Sequence, residues 1–454
     1  MRLSARMTTV RSHLGNRRHT PPVRTTGEPD VTGHLDGSMH DLSTPMKARQ
    51  VPTASLAAAP HRSLFFAGTV AVLLAMTWWT LELASQRFGW VRWPQPTIPP
   101  VWGHAMLIQY GLFPPFMFGF LMTTFPRWMS GPAVPPLRYL PVAGGVLGGY
   151  VLAHIGLLGE PWLLKAGLLL MMAAYLLGVL TLAGVLYRAA ARNQHGWSCF
   201  AAFCVGTLGL ALFIAWLMLP GESPALGWLA VKLGTYGFLL PMYFAVCHRM
   251  LPFFSHNAAA GRGYVMRRPK WSLLVAWGLL VTHLLLEWGG QLRWLWLCDV
   301  PLALVFGGHA LAWQPWKCMR PGLLAVLHLA FAWLPVAFML FSVQDIVLAA
   351  TGRYVLGRAP LHALAIGFFG SMLVAMVTRV TQGHSGRLLQ MGAIPWLCFV
   401  LLQAVALLRI RAELGGDTYL WLVIAGTGWL LAFLPWVLRS AWIYLTPRVD
   451  GKPG

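Results

Sequence analysis

Twelve blocks of apolar sequence, each close to 20 residues long, decide what this chain can fold into. They fall at 64–84, 104–124, 138–159, 163–187, 197–219, 225–247, 271–289, 294–313, 321–343, 360–378, 391–411 and 418–442. The hydrocarbon core of a bilayer is about 30 Å thick, and roughly 20 residues of helix cross it. In hydrocarbon every backbone N–H and C=O must find a partner within the protein, which leaves helices or a closed barrel. Barrel strands would alternate with period two, and these blocks do not. The expected fold is an all-α membrane protein, a bundle of about twelve transmembrane helices. Only 10% of the 454 residues are charged and 57% are hydrophobic. A soluble domain carries about 25% charged residues, so an ordinary soluble enzyme is excluded.

The formal net charge is +21. On a soluble chain that excess would point to nucleic acid. Here Lys and Arg sit mostly in short loops and in the N-terminal tail, where membrane topology places them. The expected partner is therefore the lipid bilayer, with no role for nucleic acid. Residues 1–60 are rich in Arg, Thr, Pro and Ser, hold no long apolar run, and read as a disordered basic tail. A later start is possible at Met46, where MKAR leads quickly into the first block. The transmembrane domain is expected over 61–445, followed by a short tail, 446–454. Loops on the N-terminal side carry thirteen basic residues and the opposite loops seven. With an even number of helices, both termini are expected in the cytoplasm. Six cysteines form no CxxC pair and no CxxCH, which argues against a disulfide framework and against covalently attached haem.

Ionisable groups within a membrane are costly and so are candidates for function. Glu82, Glu287, Asp299 and Asp345 fall near predicted helix ends, and this scarcity of acid argues against a proton-coupled transporter. Histidine is more informative, because neutral imidazole binds haem iron or copper without a counter-charge. A buried histidine can equally be hydrogen-bonded to a neighbouring helix. Depth separates the candidates. His104 and His362 both start their blocks on the side away from the termini, at a level suited to holding one haem between two helices. His328 lies about 10 Å into the ninth block from the other side, at roughly 1.5 Å per residue, which suits a second ligand set. His384 follows the tenth block. Met106, Met372 and Met376 offer thioethers, which suit Cu(I), although core packing accounts for them equally well.

The tenth block and its exit read HALAIGFFGSMLVAMVTRVTQGHSGR, from His362 to Arg387. This stretch resembles the HAL…TR…GH.GR block of the NnrS family. LAVLHLAFAWLP around His328, RMLPFF from Arg249 to Phe254, PHRSLFFAG at the first block and FGFLMTTFPRW in the second are similar to that family's segments in the same order. One departure stands in the second block, where the family's HxHEM-like cluster is here WGHAM. His104 and Met106 remain, and Ala105 replaces the usual Glu.

The resemblance implies a twelve-helix protein of the bacterial inner membrane that binds haem and copper and supports cells exposed to nitric oxide, often in denitrifying bacteria. On that reading a haem, of b type, takes His104 and His362, with His328 and His384 as further ligand candidates for haem or metal. Copper is the second cofactor, and nitric oxide is the small-molecule ligand. The expected pocket lies between the second, ninth and tenth helices and opens toward the periplasm. Arg379 and Arg387 are candidates for pairing with a haem propionate, or are ordinary loop cations. The resemblance leaves turnover of a substrate open and names no electron donor. Two other readings compete: a redox enzyme akin to nitric oxide reductase, and a secondary transporter.

Overall fold

In the computed structural model each of the twelve apolar blocks is a helix. The structure describes residues 55–452 except 90–93, 95, 190–192 and 220–223. The expected basic tail, apart from its last few residues, and the alternative start at Met46 lie outside the described residues. The helices are α1 (Pro60–Phe88), α2 (Pro100–Trp128), α3 (Pro136–Leu157), α4 (Pro161–Tyr187), α5 (Gln194–Met218), α6 (Ala225–Arg262), α7 (Ser272–Trp288), α8 (Trp296–Ala312), α9 (Gly322–Thr351), α10 (Ala359–His384), α11 (Ala393–Arg411) and α12 (Thr418–Leu445). Eleven are long and apolar enough to cross a membrane, α8 doing so together with its flanking 3₁₀ turns. The exception is α7, whose 17 residues rise about 26 Å at roughly 1.5 Å each, just short of a hydrocarbon core. No strand occurs among the described residues. The chain is a multi-pass helical membrane protein.

Helix starts follow local chemistry. Proline begins α1, α2, α3 and α4, at the position where its missing N–H costs nothing. Asn193 caps α5 by accepting from the N–H groups of His195 and Gly196, and Asp417 caps α12 by accepting from Leu420, each satisfying an otherwise orphaned donor. Left-handed glycines close α1 (Gly89) and α9 (Gly352). The α3–α4 hairpin packs backbone to backbone. A Cβ on Gly149 would come within 2.5 Å of the Gly167 oxygen, and one on Gly156 within 2.1 Å of the Leu164 nitrogen. Small residues permit such close approach between membrane helices.

The first and last helices close the bundle on itself. Arg62, buried in the first turn of α1, donates to the carbonyls of Ile443 at 2.9 Å, of Tyr444 at 3.3 Å and of Thr446. At the far end of α1, Arg87 pairs with Asp417 at 2.6 Å. These two ties define a terminal end and an opposite end of the molecule.

Three helices form the interior. The apolar windows of α2, α10 and α6 are 89%, 78% and 72% buried, more than those of any other described span. Each also contains a π-helical stretch, Leu107–Leu112, Ala363–Gly370 and Leu233–Leu239 respectively. They are the second, sixth and tenth helices, so the feature recurs at every fourth helix although the sequence shows no evident repeat. The first two of these stretches touch each other: Gln109 of α2 donates to the Thr235 hydroxyl of α6 at 2.7 Å. At the terminal end, Arg249 of α6 lies over Trp128 of α2, and Arg379 of α10 over Phe254 of α6, 4.4 and 3.9 Å from the ring centres.

Candidate functional site

A π turn inserts one residue into the helical repeat and rotates the residues on its N-terminal side relative to those on its C-terminal side. Such turns are frequent at functional sites. Here each π stretch begins just after a polar side chain. His104 stands three residues before the first, Lys232 immediately before the second, and His362 immediately before the third. All three side chains line one cavity of about 480 Å³ toward the opposite end of the bundle. His104 and His362 also line an adjoining cavity of about 80 Å³, walled by Trp79 of α1, Arg409 of α11 and Trp429 of α12.

The two imidazoles are held differently. His104 stacks on the Trp79 indole, with ring centres 4.4 Å apart and planes 17° from parallel, and its Nδ1 is buried without a hydrogen-bond partner. His362 sets its Nδ1 2.9 Å from the Arg358 carbonyl oxygen. A carbonyl only accepts, so Nδ1 carries the hydrogen and Nε2 keeps its lone pair. Two arginines lie on the same walls. Arg409 is tied to Glu413 at 2.6 Å, while Arg358 has no ion-pair partner among the described residues.

The structure thus brings His104 and His362 together and sets the other two expected ligands elsewhere. His328 lies at the terminal end of α9, its Nε2 2.9 Å from the Ser255 hydroxyl. His384 meets His61, with ring centres 4.6 Å apart, also at the terminal end. The ninth helix does reach the large cavity, through Phe341, Gln344, Asp345 and Leu348, but not through its histidine. Met106 is fully buried away from both cavities. Met372 and Met376 face a separate apolar space of about 60 Å³ among α1, α2, α6 and α10. Arg379 stacks on Phe254.

Two clusters escape a linear reading. At the terminal end His195 Nε2 is 3.0 Å from His248 Nδ1, and the His248 and His309 rings are 5.4 Å apart. Nothing in the spacing of these residues announces the contact. At the opposite end Lys232 Nζ meets Glu287 Oε1 at 2.5 Å, and His283 Nδ1 meets Asp299 Oδ1 at 2.8 Å. Asp345 and Asp299 line the same cavity as Lys232, His283 and Glu287. A signal for this group does exist: α6 and α8 begin, and α7 and α9 end, on one side of the membrane, so their terminal polar residues share a level. The Tyr354 phenol, in the loop above the group, is pushed above its usual range by burial first and then by Asp345 and Glu287. Among the described residues no three His, Cys, Asp or Glu side chains form a group able to hold a metal ion.

Fold and cavity together define a polytopic helical membrane protein with a polar chamber built on its three innermost helices. A family model described as NnrS protein matches residues 55–448, all twelve helices included, and the chain belongs to the NnrS family. No curated protein matches it.

Proposed function

We propose that this chain is an NnrS-like haem-binding membrane protein of the nitric oxide response, with copper as a second metal, and that the haem is held between His104 and His362. The observation that carries the reading is the pairing of these two histidines, from different helices, on the walls of the same two cavities. The residues present fit such a group. A buried His104 Nδ1 lacks a partner, and the Arg358 carbonyl fixes His362 in the tautomer that leaves Nε2 available. Orientation of an iron-binding imidazole by a backbone carbonyl is a common second-layer arrangement. Trp79 holds the His104 ring flat against its indole, and Arg358 and Arg409, on the cavity wall, would supply positive charge for haem propionates. Bound haem would supply a redox-active iron that takes nitric oxide as a ligand. The surrounding Met76, Ile108, Phe113 and Val405 side chains would shield such an iron from water. For copper, His61 and His384, with ring centres 4.6 Å apart, offer a pair of imidazoles, which suits the low coordination number of Cu(I).

The test is the visible spectrum of the detergent-purified protein, as isolated and after dithionite, with iron and copper quantified on the same sample. A Soret band with stoichiometric iron, shifting when nitric oxide is added, is expected. His104→Ala and His362→Ala should each lose most of the iron, while His154→Ala and His328→Ala retain it. Equal iron in all four variants overturns the assignment. Electron-dependent consumption of nitric oxide would move the protein to the reductase reading. A colourless protein, expressed with ample haem, would bring forward a secondary transporter, which the buried carboxylates at the cavity favour.

A further inference from the structure

Two arginines at the terminal end bury nitrogens that no acceptor meets. Arg387 stands just past the end of α10 and Arg439 on α12, and Nη1 of each is buried without a hydrogen-bond partner. Neither side chain has an ion pair among the described residues. The neighbouring cations are satisfied. Arg62 donates to three carbonyls at the end of α12, and Arg448 makes a two-point pair with Asp450 at 2.9 and 2.6 Å. Among the described residues Asp450 is the only acid at this end, the others, from Glu82 to Asp417, belonging to the opposite end. A loop cation placed by membrane topology alone keeps its charged head in water. A buried guanidinium nitrogen without an acceptor costs free energy until an anion reaches it.

Helix packing brings the two arginines to one place. Arg439 follows Trp436, which donates to Thr378 of α10 at 2.9 Å, and precedes Ile443 by one turn, whose carbonyl accepts from Arg62. Gly428, about three turns earlier on the same face, is pressed on α11, where a Cβ would stand 2.9 Å from the Val405 side chain. Arg439 therefore borders the side of α12 that meets α10 and α11, and Arg387 lies in the loop joining those two helices. That loop is pinned from α12: the Val449 N–H donates to the Ser385 carbonyl at 3.2 Å, and Gly386 lies against Asp450. The two guanidinium charges act on one another. The loop ends at α11, whose first turn has no side-chain cap, so its free N–H groups add positive potential. Bare apolar side chains flank both arginines. Leu388 is 76% exposed, and Leu438 and Trp442 of α12 are 61% and 67% exposed. A phospholipid joins phosphate to acyl chains and so matches this juxtaposition, which a free phosphate ion does not.

We propose that Arg387 and Arg439 hold the phosphate of an anionic phospholipid at the terminal end, with an acyl chain along Leu438 and Trp442. Each unpartnered Nη1 donates to a phosphate oxygen, a charge-assisted bond, and the lipid ties the α10–α11 loop to α12. The site is independent of the haem assignment, since His104 and His362 line cavities toward the opposite end.

Native mass spectrometry of the detergent-purified full-length protein, titrated with dioleoylphosphatidylglycerol, tests this. One such lipid per chain should stay bound, and neither dioleoylphosphatidylcholine nor inorganic phosphate at the same concentration should displace it. The double variant Arg387→Gln, Arg439→Gln should bind it about tenfold more weakly. Arg138→Gln, at an exposed cation of the same end, should bind it as the wild type does. Circular dichroism and gel filtration establish that each variant is folded. Equal retention of phosphatidylcholine overturns the proposal in favour of general lipid adhesion. Displacement by inorganic phosphate overturns it in favour of a free-anion site. A folded double variant with wild-type affinity overturns the choice of residues. Should the double variant not fold, the wild-type protein decides the matter through a phosphatidylglycerol carrying a diazirine on its acyl chain. Its label should concentrate on residues 434–442, and a label distributed like that of the matching phosphatidylcholine probe overturns the site.

Discussion

Gly367 lies inside the π stretch of α10, five residues after His362, with the Trp333 indole of α9 pressed against it. A Cβ placed there would stand 2.5, 2.6 and 2.8 Å from Cδ2, Cε3 and Cγ of that ring, about 0.9 Å inside the 3.4 Å at which ordinary contact begins. Trp333 has little freedom to retreat. Its Nε1 donates to Gln403 Oε1 at 2.6 Å, and Gln403 in turn donates to Ser371 at 2.8 Å, back on α10. Overpacking of this kind costs ~1–3 kcal/mol, and giving up the indole hydrogen bond adds ~1 kcal/mol. The better helix preference of alanine returns ~1 kcal/mol. Gly367→Ala is thus expected to destabilise the protein by about 1–3 kcal/mol, and to move α10 so that His362 no longer points as it did. The assay is denaturant unfolding in detergent, followed by tryptophan fluorescence, for Gly367→Ala, Trp333→Leu and the double variant. The smaller leucine should absorb the new methyl, so the double variant should be more stable than the two single effects added together. Strict additivity, or a Gly367→Ala protein as stable as the wild type, would refute the reasoning.

Two further substitutions have outcomes set by the same kind of geometry. Gly156→Ala places its Cβ 2.1 Å from the Leu164 backbone nitrogen, whereas Gly144→Ala on the same helix meets nothing within 4 Å. The first should lower the thermal midpoint sharply and the second should leave it unchanged or raise it slightly. Asp417 is held below the usual carboxylate range, first by the hydrogen bond from Arg87 and then by the Leu420 N–H. Its contribution is therefore complete above the ordinary carboxylate range and lost as pH falls through the lowered value. Asp417→Asn should differ from the wild type in thermal midpoint at neutral pH and converge with it in acid.

The helices were legible because membrane-crossing length is a property of the sequence itself, and proline marks several of their starts. Their ends were less so. The block read as beginning at His104 begins at Pro100, which takes the first position of the helix. Counting residues from the blocks' outer ends also brought His104 and His362 to one level, which is as far as a linear reading can take a two-helix site. The π stretches left no trace. Helices that are apolar on every side carry no periodicity for an inserted residue to interrupt. The acidic cluster was half visible, since Glu287, Asp299 and Asp345 were each placed at a helix end. What the chain could not show was that α7, α8 and α9 turn those ends toward one chamber and toward Lys232. The contact of His195 with His248 depends wholly on helix packing across 53 residues.

The clasp between Arg62 and the last turn of α12 makes the order of the twelve helices cyclic in space. The start of α1 and the end of α12 are neighbours at one end of the bundle. A polypeptide that entered at the α2–α3 connection, between Trp128 and Pro136, and crossed from α12 into α1 through a short polar linker would keep every helix in its present direction. Its new ends would emerge at the end of the bundle where α1 begins and α12 finishes, because that connection belongs to the same side. Domains whose ends lie together commonly tolerate such rewiring. For this bundle the cut would fall next to the innermost helices, so a reporter or tether could be attached beside α2, close to the chamber's supporting core, without opening the ring that encloses it.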